Sequence, residues 1–264
     1  MPMQDAATSV RTPLLEVQDL CKKFGAHQAV DRVSFALPAG AIGGLIGPNG
    51  AGKTTLFHCV SGFMHPDAGS VRLEGVAIGG RASSAVFAAG LARTFQIPRP
   101  FPDMTVLDNV MVAPLGQIGE RLWTNWLQPG KVAAQERQTR DAARHWLDFV
   151  GLSALEAQPA RILSGGQRKL LELARVMVAG PKIVLLDEPA AGVNPALLDQ
   201  IVDKVQALNA QGTTFLIIEH NMDVVASLCQ PVMVMAQGRM LVSGSADSVL
   251  QDPRVVEAYL GSPA

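Results

Sequence analysis

A glycine-rich segment near residue 50 has the spacing of a phosphate-binding loop. It fits the pattern G-x-x-x-x-G-K-[ST] and reads Gly47, Pro48, Asn49, Gly50, Ala51, Gly52, Lys53, Thr54. An apolar run at 41–46 predicts a strand before it, and the run 54–61 predicts a helix after it. Such glycines let successive backbone N–H groups face one anion, and the helix N-terminus adds positive potential. We expect the Lys53 ammonium to reach bound phosphate and the Thr54 hydroxyl to bind Mg²⁺.

Two adjacent carboxylates follow another apolar run. Asp187 and Glu188 stand at the end of a predicted strand, 182–187, directly before Pro189. The run is apolar without alternation, which is typical of a central strand covered on both faces. Because ligands bind at the carboxyl ends of strands in such sheets, we predict that Asp187 holds Mg²⁺. We predict that Glu188, one residue further on, polarises the attacking water as a general base.

A histidine ends a second apolar strand. His220 follows the predicted strand 214–219 and should reach the same sheet edge as the two acids. At that position its imidazole could hold the outermost phosphate and the attacking water in line.

A second glycine motif opens a predicted helix, 164–178. Ser164 is a good N-cap, and Gly165, Gly166 and Gln167 follow it. The glycines expose backbone N–H groups at a positive helix end, which makes a second anion-binding surface. One chain with two phosphate-binding surfaces suggests that two chains share their nucleotides.

The chain that carries these motifs has the composition of a globular α/β protein. It has 264 residues, with 22 Lys+Arg against 23 Asp+Glu. Because the basic residues are not clustered, a purely electrostatic nucleic-acid binder is excluded. No apolar run approaches the roughly 18 residues of a membrane span. The N-terminus lacks the order of a secretory signal, and the 3 cysteines are widely separated, so we expect a cytoplasmic protein with free thiols.

Strand and helix patterns alternate, which indicates βα units around a largely parallel sheet. The predicted strands are 14–18, 30–37, 41–46, 70–73, 182–187, 214–219, 232–236 and 239–243. Helical patterns at 105–113, 135–150 and 164–178 predict a helical subdomain. Thr105 is predicted to cap the first of these helices together with Asp108. Trp123 and Trp126, three residues apart, are predicted to pack internally rather than to face a partner.

Together the motifs resemble those of the ATP-binding cassette (ABC) ATPases, along nearly the whole chain. Residues 47–54 resemble the Walker A loop, 183–187 the Walker B strand and 163–167 the LSGGQ signature. Gln96 is similar in position to the Q-loop glutamine and His220 to the switch histidine. Phe24 matches the aromatic residue that stacks on adenine, with plain packing as the alternative.

The resemblance implies a P-loop NTPase with a RecA-like core, an N-terminal antiparallel β portion and a helical subdomain at about 97–178. The ATPase domain would span 13–250, and 251–264 would be a C-terminal tail. The catalytic residues would be Glu188, His220 and Lys53, and the Mg²⁺ ligands Thr54, Gln96 and Asp187. The implied ATP-binding residues are Phe24, Gly47, Pro48, Asn49, Gly50, Ala51, Gly52, Lys53, Thr54, Thr55, Gln96, Ser164, Gly165, Gly166 and Gln167.

Residues 92–96, 187–195 and 252–261 are similar to segments of bacterial importers of branched-chain or hydrophobic amino acids. This resemblance implies membrane permeases that dock near residues 96–104 and a second ATPase chain as partners, with an indirect link to a solute-binding protein. It also implies that the protein is located at the cytoplasmic face of the bacterial inner membrane. Asn194 departs from the family, in which many members have an aspartate there. The alternative to an importer subunit is the ATPase of an exporter or of a lipid-transport system, or a soluble non-transport ATPase. The second ATPase chain is either identical to this one or a related chain.

Overall fold

Two sheets and a group of helices make up the fold. The computed structural model describes residues 13–96, 98–118, 126 and 128–260. In chain order the strands are β1 (Leu15–Phe24), β2 (His27–Leu37), β3 (Ile42–Ile46), β4 (Ala68–Leu73), β5 (Val76–Ala77), β6 (Leu91–Arg93), β7 (Ile183–Asp187), β8 (Thr214–Ile218), β9 (Val232–Ala236) and β10 (Arg239–Gly244). The helices are α1 (Lys53–Val60), α2 (Ser83–Ala88), α3 (Val106–Met111), α4 (Pro129–Phe149), α5 (Gly165–Met177), α6 (Pro195–Ala210), α7 (Met222–Leu228), α8 (Ala246–Leu250) and α9 (Pro253–Leu260). Two 3-10 helices cover Ser153–Leu155 and Ala160–Ile162.

The central sheet has the strand order β10-β9-β3-β8-β7-β6. Its inner pairs are parallel, and only β10 runs antiparallel to its neighbour. β3, β7 and β8 are buried along their whole length. On β8, Phe215 and Ile217 pack with the helical side, whereas Leu216 and Ile218 pack with α1 and the antiparallel strands. The sheet therefore separates two cores, which explains the apolar runs without alternation.

The N-terminal strands form a separate antiparallel sheet of order β2-β1-β4-β5. The long strand β1 pairs with both β2 and β4, with shifts of register in both pairings, and it contacts α1. The α/β fold with an N-terminal antiparallel portion agrees with the sequence prediction.

The middle of the chain is helical, as the sequence predicts. α3, α4 and α5 contact one another and bury Val110, Ala143 and Leu147. α4 begins at Pro129 rather than at the predicted residue 135, because proline is well tolerated at the first helical position. The packing prediction for Trp126 is wrong, since its side chain is 79% exposed. The apolar face of α4 lies further along the chain, and Trp123 lies outside the described residues.

The sequence prediction did not include β5, β6, α2 or the four helices α6 to α9. β6 has only three residues, too few for a periodic pattern. α9 packs Val255, which is 3% exposed, and the partly buried Tyr259 against the core, so this part of the predicted tail is an ordered helix. Within the described part of the chain, no helix is long and apolar enough to cross a membrane.

Candidate functional site

The glycine-rich segment connects β3 to α1 and is closely enclosed by neighbouring backbone. Gly47 has φ +147° and Gly52 has φ +95°. A Cβ atom would stand 2.1 Å from the Met235 carbonyl oxygen at Gly47 and 2.1 Å from the Ala29 carbonyl oxygen at Gly52. Only glycine fits at both positions, and α1 begins at the next residue.

Lys53 is the first residue of α1 and folds back into this loop. Its side chain is nearly buried, and Nζ donates to the Gly47 oxygen at 2.7 Å and to the Pro48 oxygen at 3.0 Å. Burial lowers the pKa of Lys53, and the nearby carboxylates of Glu188 and Asp187 oppose that shift. The ammonium is therefore held where the loop closes, beside the exposed Thr54.

Glu188 stands at the centre of a hydrogen-bonded cluster at the sheet edge. Asp187 and Ile218 are register partners, so β7 and β8 end together. Glu188 has φ +50°, and its N–H donates to the Ile218 oxygen at 2.9 Å. Its Oε1 lies 3.1 Å from His220 Nε2, and its Oε2 accepts from Gln96 Nε2 at 2.6 Å. The structure thus brings together three side chains that are far apart in sequence.

A buried carboxylate that the sequence reading missed supports this cluster. Glu219 is 2% exposed. Its oxygens accept from the N–H groups of Ala190 at 2.7 Å, His220 at 2.9 Å and Asn221 at 3.1 Å. It therefore connects the backbone just after Glu188 to the backbone at His220 and Asn221. The signal was present in the sequence, because an acid at the end of an apolar strand needs buried partners.

Asp187 has an ionic partner that was also missed. Arg93 Nη2 lies 2.6 Å from Asp187 Oδ2, and both side chains are about 95% buried. The guanidinium also lies 5.7 Å from the Phe57 ring centroid, 5.8 Å from that of Phe63 and 5.7 Å from that of Phe95. A buried aspartate at this site is thus neutralised by an arginine within aromatic packing.

A cavity of about 310 Å³ connects the loop to Glu188. Its lining is Phe24, His27, Ala29, Asn49, Gly50, Ala51, Gly52, Lys53, Thr54, Thr55, Glu188 and His220. Phe24 is 48% exposed and lies under Lys22, whose Nζ is 5.9 Å from the ring centroid. Most of the predicted nucleotide-binding residues therefore surround one space of the size of a small ligand.

The residues predicted to hold Mg²⁺ supply suitable donors. Mg²⁺ takes hard oxygen ligands, usually one or two from protein carboxylates together with water and phosphate. The Thr54 hydroxyl, the Asp187 carboxylate and the Gln96 amide are oxygen donors of this kind. Within the described ranges, no group of three or more His, Cys, Asp or Glu could hold a metal ion. The three oxygen donors fit a magnesium ion whose other ligands would be phosphate oxygens and water.

The second glycine motif forms the N-terminus of α5, and none of its residues lines the cavity beside the loop. The Ser164 side chain accepts from the Gln167 N–H at 3.2 Å, and the Gln167 side chain accepts from the Ser164 N–H at 3.0 Å. This capping box gives the N–H groups of both Ser164 and Gln167 a hydrogen-bond acceptor. Gly166 is buried against Leu197 of α6, whereas Gly165 is exposed.

Asn194, the position at which the sequence departs from many cassettes, caps α6. Its side-chain oxygen accepts from the Leu197 N–H at 2.9 Å. Asparagine and aspartate are equally good N-caps, so the substitution preserves the helix start.

Glu172, on the buried side of α5, has a pKa raised to about 7 by burial. Because the carboxyl holds its proton more tightly when folded, it stabilises the protein fully below about pH 4.5, and this contribution is lost as the pH rises through about 7. Between these limits we expect the free energy of unfolding to fall by roughly 3 kcal/mol relative to Glu172→Gln. Urea unfolding at several pH values measures this difference. The exposed Glu136→Gln is the control, and parallel pH profiles for Glu172→Gln and the unchanged chain would refute the prediction.

Comparison with known proteins now identifies the family. A model described as ABC transporter matches residues 30–191, well over half of the chain. The chain belongs to the ABC transporter family. A second model, described as branched-chain amino acid ATP-binding cassette transporter, matches residues 239–264. ATP hydrolysis is general in this family, so the chain is an ATPase.

Two similar proteins match this chain over almost its whole length. A probable branched-chain amino acid transport ATP-binding protein, LivG, of Archaeoglobus fulgidus is 40% identical and covers 94% of this chain and 96% of its own. BraF of Pseudomonas aeruginosa, described as a high-affinity branched-chain amino acid transport ATP-binding protein, is 37% identical. The match covers 94% of this chain and 98% of BraF.

Solved ABC structures share the fold. A nucleotide-free ATP-binding cassette from an ABC transporter superposes with a TM-score of 0.82 at 36% identity, covering 95% of this chain and all of its own. An ATP-binding cassette of an ABC transporter in its ADP conformation superposes with a TM-score of 0.81 at 35% identity. The match covers 95% of this chain and 99% of that structure. The P-loop NTPase fold predicted for the chain is therefore confirmed.

Proposed function

We propose that the chain is the ATP-hydrolysing, energy-coupling subunit of an ABC importer for branched-chain or other hydrophobic amino acids or similar small solutes. The observation that carries the proposal is the position of Glu188, which contacts both His220 and Gln96 and lines the same cavity as the phosphate loop. The relatives described as branched-chain amino acid transport proteins support the class of solute.

In this function Lys53 and the N–H groups of the loop bind the ATP phosphates, and Phe24 packs against the adenine. Thr54, Asp187 and Gln96 would hold Mg²⁺, which neutralises phosphate charge. Glu188 accepts a proton from the water that attacks the γ-phosphorus, and His220 orients that water. The bond from this phosphorus to the leaving ADP oxygen breaks as the new P–O bond forms.

Two chains complete each site, because Ser164–Gln167 lies outside the cavity beside the chain's own loop. Its exposed helix N-terminus offers N–H donors to the nucleotide of a facing chain, identical or related. The ATPase domain spans 13–250, with the helical subdomain at about 97–178 inserted in it and 251–264 as the tail.

The permease docking surface surrounds residues 96–104, here called the docking segment; Ile97 lies outside the described residues. Three aromatic side chains are exposed at this surface: Phe95 (41%), Phe101 (48%) and Phe63 (53%). The Phe63 ring contacts that of Phe95. The buried Asn109 holds this segment by bonds to Phe101 and to neighbouring carbonyls. Exposed aromatic rings on a stiffened loop suit an apolar segment of a permease at the cytoplasmic face of a bacterial membrane. The solute-binding protein acts only through the permeases.

The decisive experiment is affinity capture from detergent-solubilised membranes of the host. A tagged Glu188→Gln chain with Mg-ATP is expected to recover polytopic permeases and a second ATPase chain, identified by mass spectrometry. The genes of the recovered permeases would lead to their binding protein, whose bound solute then tests the amino acid assignment.

A matched pair of variants tests the docking surface in the same experiment. Adding Phe101→Ala should reduce permease recovery severalfold, whereas Val76→Ala, which removes a comparably exposed apolar side chain from β5, should not. Recovery of ribosomal proteins or nucleic acid without a permease would overturn the transporter function.

A further inference from the structure

The helix that begins with the LSGGQ-like motif carries three charged side chains along one row. Lys169, Glu172 and Arg175 of α5 are three residues apart, so they are neighbours on the helix surface. Each contacts a part of its own chain outside α5. None of the three was among the residues that the sequence analysis selected.

Lys169 binds the turn that carries Glu188. Its Nζ donates to the carbonyl oxygens of Glu188 at 3.0 Å, Pro189 at 2.9 Å and Ala191 at 2.7 Å. We call Asp187–Ala191 the catalytic turn. All three donors of the ammonium are used on it. Because Glu188 has the left-handed φ of +50°, its conformation depends on such surrounding bonds.

Glu172 and Arg175 bind the segment on the other side. Glu172 Oε1 accepts from the Phe95 N–H at 2.8 Å, one residue before Gln96. Arg175 Nη1 donates to the Arg99 oxygen at 3.3 Å, and its guanidinium lies 5.3 Å from the Phe101 ring centroid. Glu172 and Arg175, the C-terminal part of the row, thus contact the docking segment and the residue before it.

The space beside the row is small. Lys169 and Glu172 line a cavity of about 30 Å³ together with Phe95, Asp187 and Pro189. Because little free volume separates α5 from these segments, we expect a shift of α5 to disturb its bonds to both of them.

We propose that Lys169, Glu172 and Arg175 are positioning residues that make α5 a rigid connection between the docking segment and the catalytic turn. A displacement of the docking segment then reaches Glu188 through α5, in addition to the direct bond from Gln96. The proposal rests on the proposed role of Glu188 in hydrolysis.

The test uses the full chain with Lys169→Met, Lys169→Arg and Arg175→Met. The readouts are kcat and KM for ATP and the hydrogen exchange of a peptide covering 187–191. Lys169→Met and Arg175→Met should both speed exchange in the catalytic turn and lower kcat about tenfold or more, with KM nearly unchanged, because the turn is misplaced while the phosphate loop is intact. Lys169→Arg keeps donors near the carbonyls and should restore most of kcat.

Lys131→Met and Arg137→Met, at exposed positions on α4, are the matched controls and should match the unchanged chain. Control-like exchange and kcat in Lys169→Met would overturn the proposal. So would an effect of Arg175→Met that is confined to the docking segment, because the two ends would then move independently. If Glu188→Gln itself keeps full turnover, the proposed role of Glu188 fails, while the exchange data still decide whether α5 connects the two segments.

Discussion

Glu188→Gln is expected to lower the ATP turnover of this chain about 10²- to 10⁴-fold while ATP affinity stays close to that of the unchanged protein. Glutamine has the same shape and can keep one bond each to Gln96 and His220, but its amide cannot accept the proton of the attacking water. Lys53 and the loop, which are proposed to bind the phosphates, are untouched. Steady-state hydrolysis and binding of a fluorescent ATP analogue measure the two quantities.

The same variant should also accumulate as a dimer with Mg-ATP, because hydrolysis would reopen the pair of chains in the proposed function. Size-exclusion chromatography with light scattering measures this. Glu136→Gln is the control, since Glu136 is exposed and pairs with Arg140 in the next turn of α4. Sustained turnover by Glu188→Gln at the rate of the Glu136→Gln control would remove Glu188 as the general base.

Arg93→Met is expected to destabilise the fold by about 3–5 kcal/mol, because it leaves the Asp187 carboxylate buried without its cation. The two side chains lie 2.6 Å apart and are only 4% and 5% exposed, so water cannot replace the lost partner. The free energy of unfolding in urea measures the loss. Met preserves much of the packing against Phe57, Phe63 and Phe95, so the charge is the main change.

Lys182→Met provides the comparison, because Lys182 pairs with Glu74 where both side chains are about half exposed. We expect that variant to lose less than about 1 kcal/mol. Combining Arg93→Met with Asp187→Asn should cost less than the sum of the two single changes, since the second removes the unpaired charge. An Arg93→Met loss no larger than that of Lys182→Met would contradict a buried, mutually dependent pair.

Local patterns in the sequence predicted most of the long elements, although the 16-residue helix α6 was not predicted. The apolar runs that became β3, β7 and β8 are buried on both faces, and such strands are readable because every residue must be apolar. The Ser164 cap was also predictable, because the capping interaction involves residues only three apart. β6 and α9 were missed because their stability comes from packing against distant segments rather than from a repeating pattern of their own.

The sequence by itself determined the chemistry of the site: the phosphate loop, the two acids and the histidine are recognisable because their function requires particular residue types at fixed local spacings. Only the tertiary structure decided which groups support them. Arg93 contacts Asp187, Glu219 accepts from the Ala190 N–H, and Lys169 contacts the catalytic turn, across separations of 94, 29 and at least 19 residues. These partners are set by strand order and helix packing, because a buried charge can be matched by any donor that the fold brings within about 3 Å.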